Sequence, residues 1–441
     1  MKQWELRAAF AARMAGVYGR EVPAYTTLVE VSEAVNAAVV DRLGASAERL
    51  GSIDRVTAER HGAIRVGTPT ELAQVARVFG AVGMHPVGFY DLRDAARSAV
   101  PVVSTAFRPV AADELARNPF RMFTSLLVTD DRRFFSPALQ ARLDAFLARR
   151  TLFPPELLAL ADRSIAAGGL DDADAEAFLK LDVDAFTLSA EPVDAAWYAE
   201  LEAVSSVAAD IGGVSSTHIN HLTPRVLDIE DLYARMSARG ITMIDKIQGP
   251  PAWEGPDVLL RQTSFRALAE PRRFRAADGS ITEGSLRVRF GEVEARGIAL
   301  TPAGRDRYDD LIGHDGDAWS AALPHTELGF LRAGLAYFIV VPTGRPLVRP
   351  GTLAELVFDG VLTATPIVYE DFLPRSAAGI FQSNLTDEGT RDDAVAGTRR
   401  DAGWLSDVMG LPVADPYQLY QAQQDASIAA LPAELRAALD R

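Results

Sequence analysis

The chain has 441 residues, a formal net charge of −15 and no cysteine. The acidic balance argues against a nucleic-acid-binding surface, which needs clustered cations, and the lack of cysteine excludes disulfides, thiolate metal sites and cysteine nucleophiles. About half the residues are apolar and a quarter charged, an ordinary balance for a globular protein.

No window approaches the roughly eighteen uninterrupted apolar residues of a membrane span, and Met1-Lys2-Gln3-Trp4-Glu5-Leu6-Arg7 lacks the layout of a signal peptide. A cytoplasmic location is therefore expected. Only three lysines occur (Lys2, Lys180 and Lys246), so nearly all positive charge is arginine. Arginine is the better residue for bidentate capture of a carboxylate, which makes the arginines of polar motifs worth following.

Apolar residues recurring at three and four predict helices from Trp4 to Tyr18 and from about Thr26 to Leu43. A β–α–β unit follows over residues 61–91. Its helix starts at Thr68-Pro69-Thr70-Glu71, with Thr68 as cap, Pro69 at the first helical position and Glu71 closing a capping box. On the strand before it, His61, Ala63 and Arg65 share a face. His61 and Arg65, with Cα atoms roughly 13 Å apart at ~3.3 Å per residue, could bracket a small anion. The alternative is a strand edge with a solvated arginine and a satisfied histidine.

Strand-like segments run over Pro101 to Arg108 and Phe120 to Leu127, and from Pro137 to about Gly213 the pattern is helical and acidic. This reads as a helical insertion whose acidic run is a solvated face without a ligand. Thr217-His218-Ile219-Asn220-His221-Leu222-Thr223-Pro224-Arg225 then concentrates two of the six histidines with an amide and an arginine. Pro224 opposes a continuing helix, so the stretch is expected to be extended, with one histidine facing a site and the other supporting it.

From Leu259 the chain is β-rich, with a strand over Arg261 to Leu268, a turn at Asp278-Gly279 and a second strand from Ser285 to Ala295. That second strand puts Leu286, Val288 and Phe290 on one face with Glu292 and Glu294. Buried carboxylates are costly unless partnered, so the glutamates should be exposed, paired with Arg296 or bound to a metal. Thr301 caps a short helix, Leu335 to Pro342 reads as a buried strand, Val368 to Phe381 as a pocket-lining loop, and the tail beyond about Asp401 as amphipathic helix.

The sequence lacks G-x-G-x-x-G, a P-loop, H-E-x-x-H and G-x-S-x-G. What remains is an oxygen- and nitrogen-ligand constellation. His61, one of His218 and His221, and one of Glu292 and Glu294 would form a two-histidine, one-carboxylate set, which leaves metal positions open and suits non-haem Fe(II). His85, His314 and His325 rank below these.

Five motifs in order carry a resemblance: Glu59 to Gly67, His218 to Arg225, Arg261 to Phe265, Phe290 to Gly297 and Tyr369 to Pro374. Together they resemble the 2-oxoadipate dioxygenase/decarboxylase family of lysine catabolism, over about residues 5–425. The resemblance implies an α+β fold like that of the vicinal oxygen chelate enzymes: a curved mixed sheet or half-barrel with large helical insertions. All 441 residues would then form one metal-dioxygenase domain. Its β-rich metal-binding core would span 61–130 and 214–400, and 1–60, 137–213 and 401–441 would be mainly helical additions.

It further implies an Fe(II) held by His61, His221 and Glu292. Arg65, four residues after the first ligand, would bind the far carboxylate of a 2-oxo dicarboxylic acid, with O2 as co-substrate. The family's serine clamp maps to Arg375 and Ser376, and Arg375 stands where the family carries a small apolar residue, a departure that bears on the preferred diacid. The alternatives are a non-oxidative metal-dependent isomerase or lyase of the same fold and a non-catalytic dicarboxylate-binding protein.

Overall fold

The computed structural model describes residues 1–94, 100–267, 269–286, 289–373 and 389–439. The chain is mixed α+β. Its central sheet has the order β2-β3-β4-β1-β6, from β1 (Arg60–Val66), β2 (His85–Asp91), β3 (Val102–Arg108), β4 (Arg121–Leu127) and, later in the chain, β6 (His221–Pro224). β1 runs parallel to β4 and antiparallel to β6, whereas β2–β3 and β3–β4 are antiparallel. All residues of β3 and β4 are buried, which explains their lack of a clean polar alternation.

The β–α–β unit forms as expected. Its helix, Pro69–Ala81, starts with the reciprocal cap: Thr68 Oγ1 accepts from Glu71 N–H at 3.1 Å and Glu71 Oε2 accepts from Thr68 N–H at 3.1 Å. The two strands of the unit are not neighbours, however, since β3 and β4 lie between them.

Alternation along the strands divides the sheet's two faces. Ile64, Val66, Met122, Leu126 and Phe107 enter a large core with the N-terminal helices Gln3–Glu21 and Pro23–Leu43. Ala63, Phe123, Ala106 and Leu127 join a second core with Phe290, Phe372 and the short helix Ser206–Gly212.

Beyond the central sheet, β5 (Val193–Asp194) joins the hairpin β8 (Glu270–Arg275) and β9 (Ile281–Leu286), while β7 (Leu260–Phe265) pairs with β10 (Gly291–Arg296). β11 (Phe338–Pro342) and β12 (Leu362–Pro366) form a last antiparallel pair. The β7–β10 pair is joined to β6 through Val226 N–H, which donates to Glu294 O at 2.8 Å, and a parallel bridge between Arg225 and Glu294.

Several expectations are corrected. The single strand from Ser285 to Ala295 is two strands with different partners, β9 on β8 and β10 on β7. The break falls beside Gly291, where a Cβ would stand 1.8 Å from the Phe265 ring, so the pairing requires glycine there. The strand expected over Arg261 to Leu268 ends at Phe265 within the described residues, and that over Leu335 to Pro342 begins at Phe338 and ends exposed. The acidic stretch 137–213 is not wholly solvated: Asp182 and Asp210 are buried.

The N-terminal helices also do more than decorate the sheet. Tyr18 places its hydroxyl 3.0 Å from Asn220 O and 2.8 Å from Phe290 O, next to both chain segments that carry His221 and Glu292. Asn36 donates from Nδ2 to Arg225 O at 3.1 Å and accepts from Leu227 N–H at 2.8 Å.

Gly291→Ala should therefore force Phe265 out of place and lower stability by about 1–3 kcal/mol, read from the denaturant midpoint. A midpoint equal to that of the parent chain would contradict the close packing of β10 on β7.

Candidate metal centre

Register brings the donors together. β6 pairs with β1 so that Ala63 faces His221 and His61 faces Thr223. His61 and His221 thus stand on one face of the sheet as diagonal neighbours, their ring centroids 5.4 Å apart. β10 then delivers Glu292, whose Oε1 is 3.4 Å from His61 Nε2 and whose Oε2 is 3.0 Å from His221 Nδ1. Among the described residues, His61, His221 and Glu292 are the one set of three potential ligands whose donor atoms all lie within 4.8 Å of one another.

All three side chains are buried. Neither His221 nitrogen nor His61 Nδ1 makes an aligned hydrogen bond, although each ring has a carboxylate oxygen close by. Buried polar atoms in this state are costly, and a cation among them would satisfy the set. Two imidazoles and one carboxylate fit a divalent metal that keeps further positions open for other ligands.

The electrostatics agree. Burial pushes the Glu292 pKa up, but His221 and His61 outweigh it and pull it down to about 2. Burial lowers His61, yet the Glu294 and Glu292 carboxylates overcome this and raise it; His221 is lowered, chiefly by burial. The two carboxylates thus favour a positive charge at the centre, which a bound cation would also supply.

Beneath the donors lies a layer of buried ions. Glu294 Oε2 sits 3.0 Å from His61 Nδ1, and its carboxylate receives Arg296 Nε and Nη2 at 2.6 and 2.9 Å and Arg121 Nη1 at 3.4 Å. This places a carboxylate behind the first histidine, leaving Nε2 turned toward Glu292, the arrangement that orients metal-binding histidines. Burial raises the Glu294 pKa, but Arg296 and His61 pull it down to about 2. Glu59 lies in the same layer, accepting from Arg121 Nη1 at 2.7 Å and Arg225 Nη1 at 2.9 Å. Glu370 pairs with both Arg55 and Arg121.

Other groups hold the donors from the sides. Gln262 donates from Nε2 to Glu292 Oε1. The Phe372 ring stands edge-on to His61 at 4.9 Å and the Phe290 ring edge-on to His221 at 5.1 Å.

Arg65 is buried on β1 and forms an ion pair with Asp210 from the helix Ser206–Gly212. Asn220 Nδ2 donates to the same Asp210 Oδ2 at 3.0 Å, and His218 Nε2 lies 3.4 Å from Oδ1. Burial brings the His218 pKa down to about 4, so at neutral pH this ring is uncharged. His218 therefore belongs with Arg65 and Asp210.

The family model of the 2-oxoadipate dioxygenase/decarboxylases matches residues 10–384. The chain belongs to this family. It is 57% identical over 420 residues to the 2-oxoadipate dioxygenase/decarboxylase of Mycobacterium bovis, covering 95% of this chain and 96% of that one. Its structure is similar to that of the hydroxyglutarate synthase of Pseudomonas putida in complex with 2-oxoadipate, with a TM-score of 0.83, 38% identity and 98% of each chain covered. A putative glyoxalase superfamily protein of Ralstonia eutropha shares fold features at a TM-score of 0.51 and 21% identity, over 67% of this chain and 84% of that one.

Within this family member, the structure brings His61, His221 and Glu292 together and sets Arg65 along the same strand face. Arg375 and Ser376 lie outside the described residues. His85, His314 and His325 are exposed. Glu59, Arg121, Arg225 and Gln262 were not singled out by the sequence as supports. Three of them fall inside the motifs that carry the resemblance, so their signal was polar identity at positions otherwise destined for the core. Asp210 had no such flag, because nothing in a helical acidic run marks which carboxylate turns inward.

Burial raises the Glu59 pKa, but Arg225, Arg121 and Arg55 together drive it well below the ordinary carboxylate range. A carboxyl with a depressed folded pKa stabilises fully above its unfolded value of about 4.3 and loses that stabilisation as pH falls toward the folded value. The urea midpoint should therefore be nearly flat down to about pH 5 and fall below about pH 4. Glu59→Gln should cost about 3 kcal/mol or more at pH 7 and show a shallower acid decline; an acid slope as steep as the parent's would contradict the assignment.

Proposed function

We propose that the chain is an Fe(II)-dependent dioxygenase/decarboxylase that converts 2-oxoadipate and O2 into 2-hydroxyglutarate and CO2 as a cytoplasmic step of lysine catabolism. The observation that supports it most is the convergence of His61, His221 and Glu292 in a chain of this family. The overall reaction balances without an external reductant: six carbons, eight hydrogens and seven oxygens appear on each side. In this reading the chain acts as one vicinal-oxygen-chelate-like dioxygenase domain.

His61, His221 and Glu292 would hold the iron, the two imidazoles neutral and the carboxylate anionic. Bound Fe(II) supplies the redox chemistry that activates O2 and drives oxidative loss of the 2-oxo acid's carboxylate. Glu294 keeps the proton on His61 Nδ1, so Nε2 presents its lone pair to the metal. Phe372 and Phe290 cover the two histidine rings and keep bulk water off them. Arg65 would take the far carboxylate, where a planar guanidinium matches both oxygens, and Arg375 and Ser376 would complete the substrate clamp. Asp210 fixes the Arg65 guanidinium through its ion pair.

Anaerobic reconstitution with Fe(II), followed by O2 uptake and CO2 release on 2-oxoglutarate, 2-oxoadipate and 2-oxopimelate, tests the proposal. Turnover of 2-oxoadipate to 2-hydroxyglutarate with one CO2 per O2 is expected, and no turnover on any of the three acids would overturn it. In the same assay Arg65→Ala should raise KM for the diacid far more than it reduces iron content. A parallel fall in iron would remove Arg65 from the substrate role.

A further inference from the structure

A cavity of about 810 Å³ lies against the outer side of the Arg65 cluster, with Asp210 and His218 in its wall. Four arginines also line it: Arg142, Arg149, Arg272 and Arg275. Arg142 is paired with Glu200. The other three have no carboxylate within ion-pair distance among the described residues; Arg149 and Arg275 are exposed, and Arg272 is half-buried.

The carboxylates of the cavity wall are already engaged. Asp210 is held by Arg65 and Asn220, Glu191 accepts from the Ser215 hydroxyl at 2.5 Å, and Asp194 caps a helix by accepting from Trp197 N–H at 2.9 Å. Glu270, the carboxylate on the strand that bears Arg272, is taken by Arg289 with both Nε contacts at 2.9 Å. Arg272 is thereby left half-buried, with Nη2 shielded from water and without a hydrogen-bond partner. Burial lowers its pKa and neighbouring Arg289 pushes the same way, against Glu270.

An uncompensated guanidinium in the wall of a cavity is an anion site in waiting. On a chain of net charge −15, a dianionic substrate is repelled by most of the surface, and a concave positive patch focuses it. We propose that this cavity is a second carboxylate-binding site, an entry chamber in which Arg272 binds a carboxylate of an incoming 2-oxo diacid on the far side of Asp210 from the metal centre. The inference rests on the diacid reading above, and it concerns residues to which that reading gives no role.

Two measurements test it. For the Fe(II)-loaded enzyme at low salt, Arg272→Gln should lower kcat/KM for 2-oxoadipate about tenfold, the worth of one charge-assisted hydrogen bond, and kcat should stay within about twofold. Raising the salt should shrink the difference between the two enzymes. The monoacid 2-oxohexanoate should change less than about twofold, and Arg272→Lys should recover most of the loss. For metal-free protein, calorimetry should show adipate binding weakened about tenfold by Arg272→Gln. Arg275→Gln, at an exposed position that cannot unfold the chain, should lower both quantities by about threefold.

Unchanged adipate affinity together with unchanged kcat/KM would overturn the inference, as would an equal loss on the monoacid. Failure of the wild-type enzyme to turn over 2-oxoadipate would defeat the diacid reading instead, while adipate calorimetry would still report on the cavity.

Discussion

The layer of buried ions under the three donors is the constraint on which the rest of the structure depends. Glu59, Glu294 and Glu370 interleave with Arg55, Arg121, Arg225 and Arg296, drawn from the short helix Ile53–Ala58, from strands and from loops. A buried charge that loses its partner is far more expensive than a well-packed apolar pair, so every segment that contributes an ion is fixed by the others. Arg225 follows β6, Arg296 ends β10, and Arg121 stands beside His61 in the β1–β4 register. The geometry of the donors is therefore set from below, by electrostatics, before any metal arrives.

The faces of the sheet divide the remaining work. One face is apolar and buries the N-terminal helices, which reach through Tyr18 and Asn36 to the segments bearing His221 and Glu292. The other carries the donors and the aromatic rings of Phe290 and Phe372, with the Arg65–Asp210 pair further along the same strand face. The candidate donor His61 and the Arg65–Asp210 pair thus share one strand, β1, with Ala63 between them on the same face.

Local patterns made much of this readable. Thr68-Pro69-Thr70-Glu71 announces its helix, and the alternation of β1 puts His61 and Arg65 on one side without any knowledge of the fold. The choice between His218 and His221, or between Glu292 and Glu294, could not be read locally. It depends on register between strands far apart in the chain, and the residues left over, His218 and Glu294, become supports for Arg65 and His61. The unbroken alternation from Ser285 to Ala295 hid a change of strand partner before Gly291. The acidic stretch hid Asp210 because helical periodicity gives an inward face only when apolar residues mark it, and this short helix is buried on nearly every side.

The most direct test of this account is the metal affinity of Glu294→Gln. Glu294 is not among the three donors, and its contact with the centre is the 3.0 Å approach to His61 Nδ1. If the buried layer sets the donors, the substitution should weaken Fe(II) binding by about 10–100-fold in anaerobic titration, with the secondary structure intact by circular dichroism. An affinity equal to that of the parent chain would show that the three donors assemble without the layer beneath them.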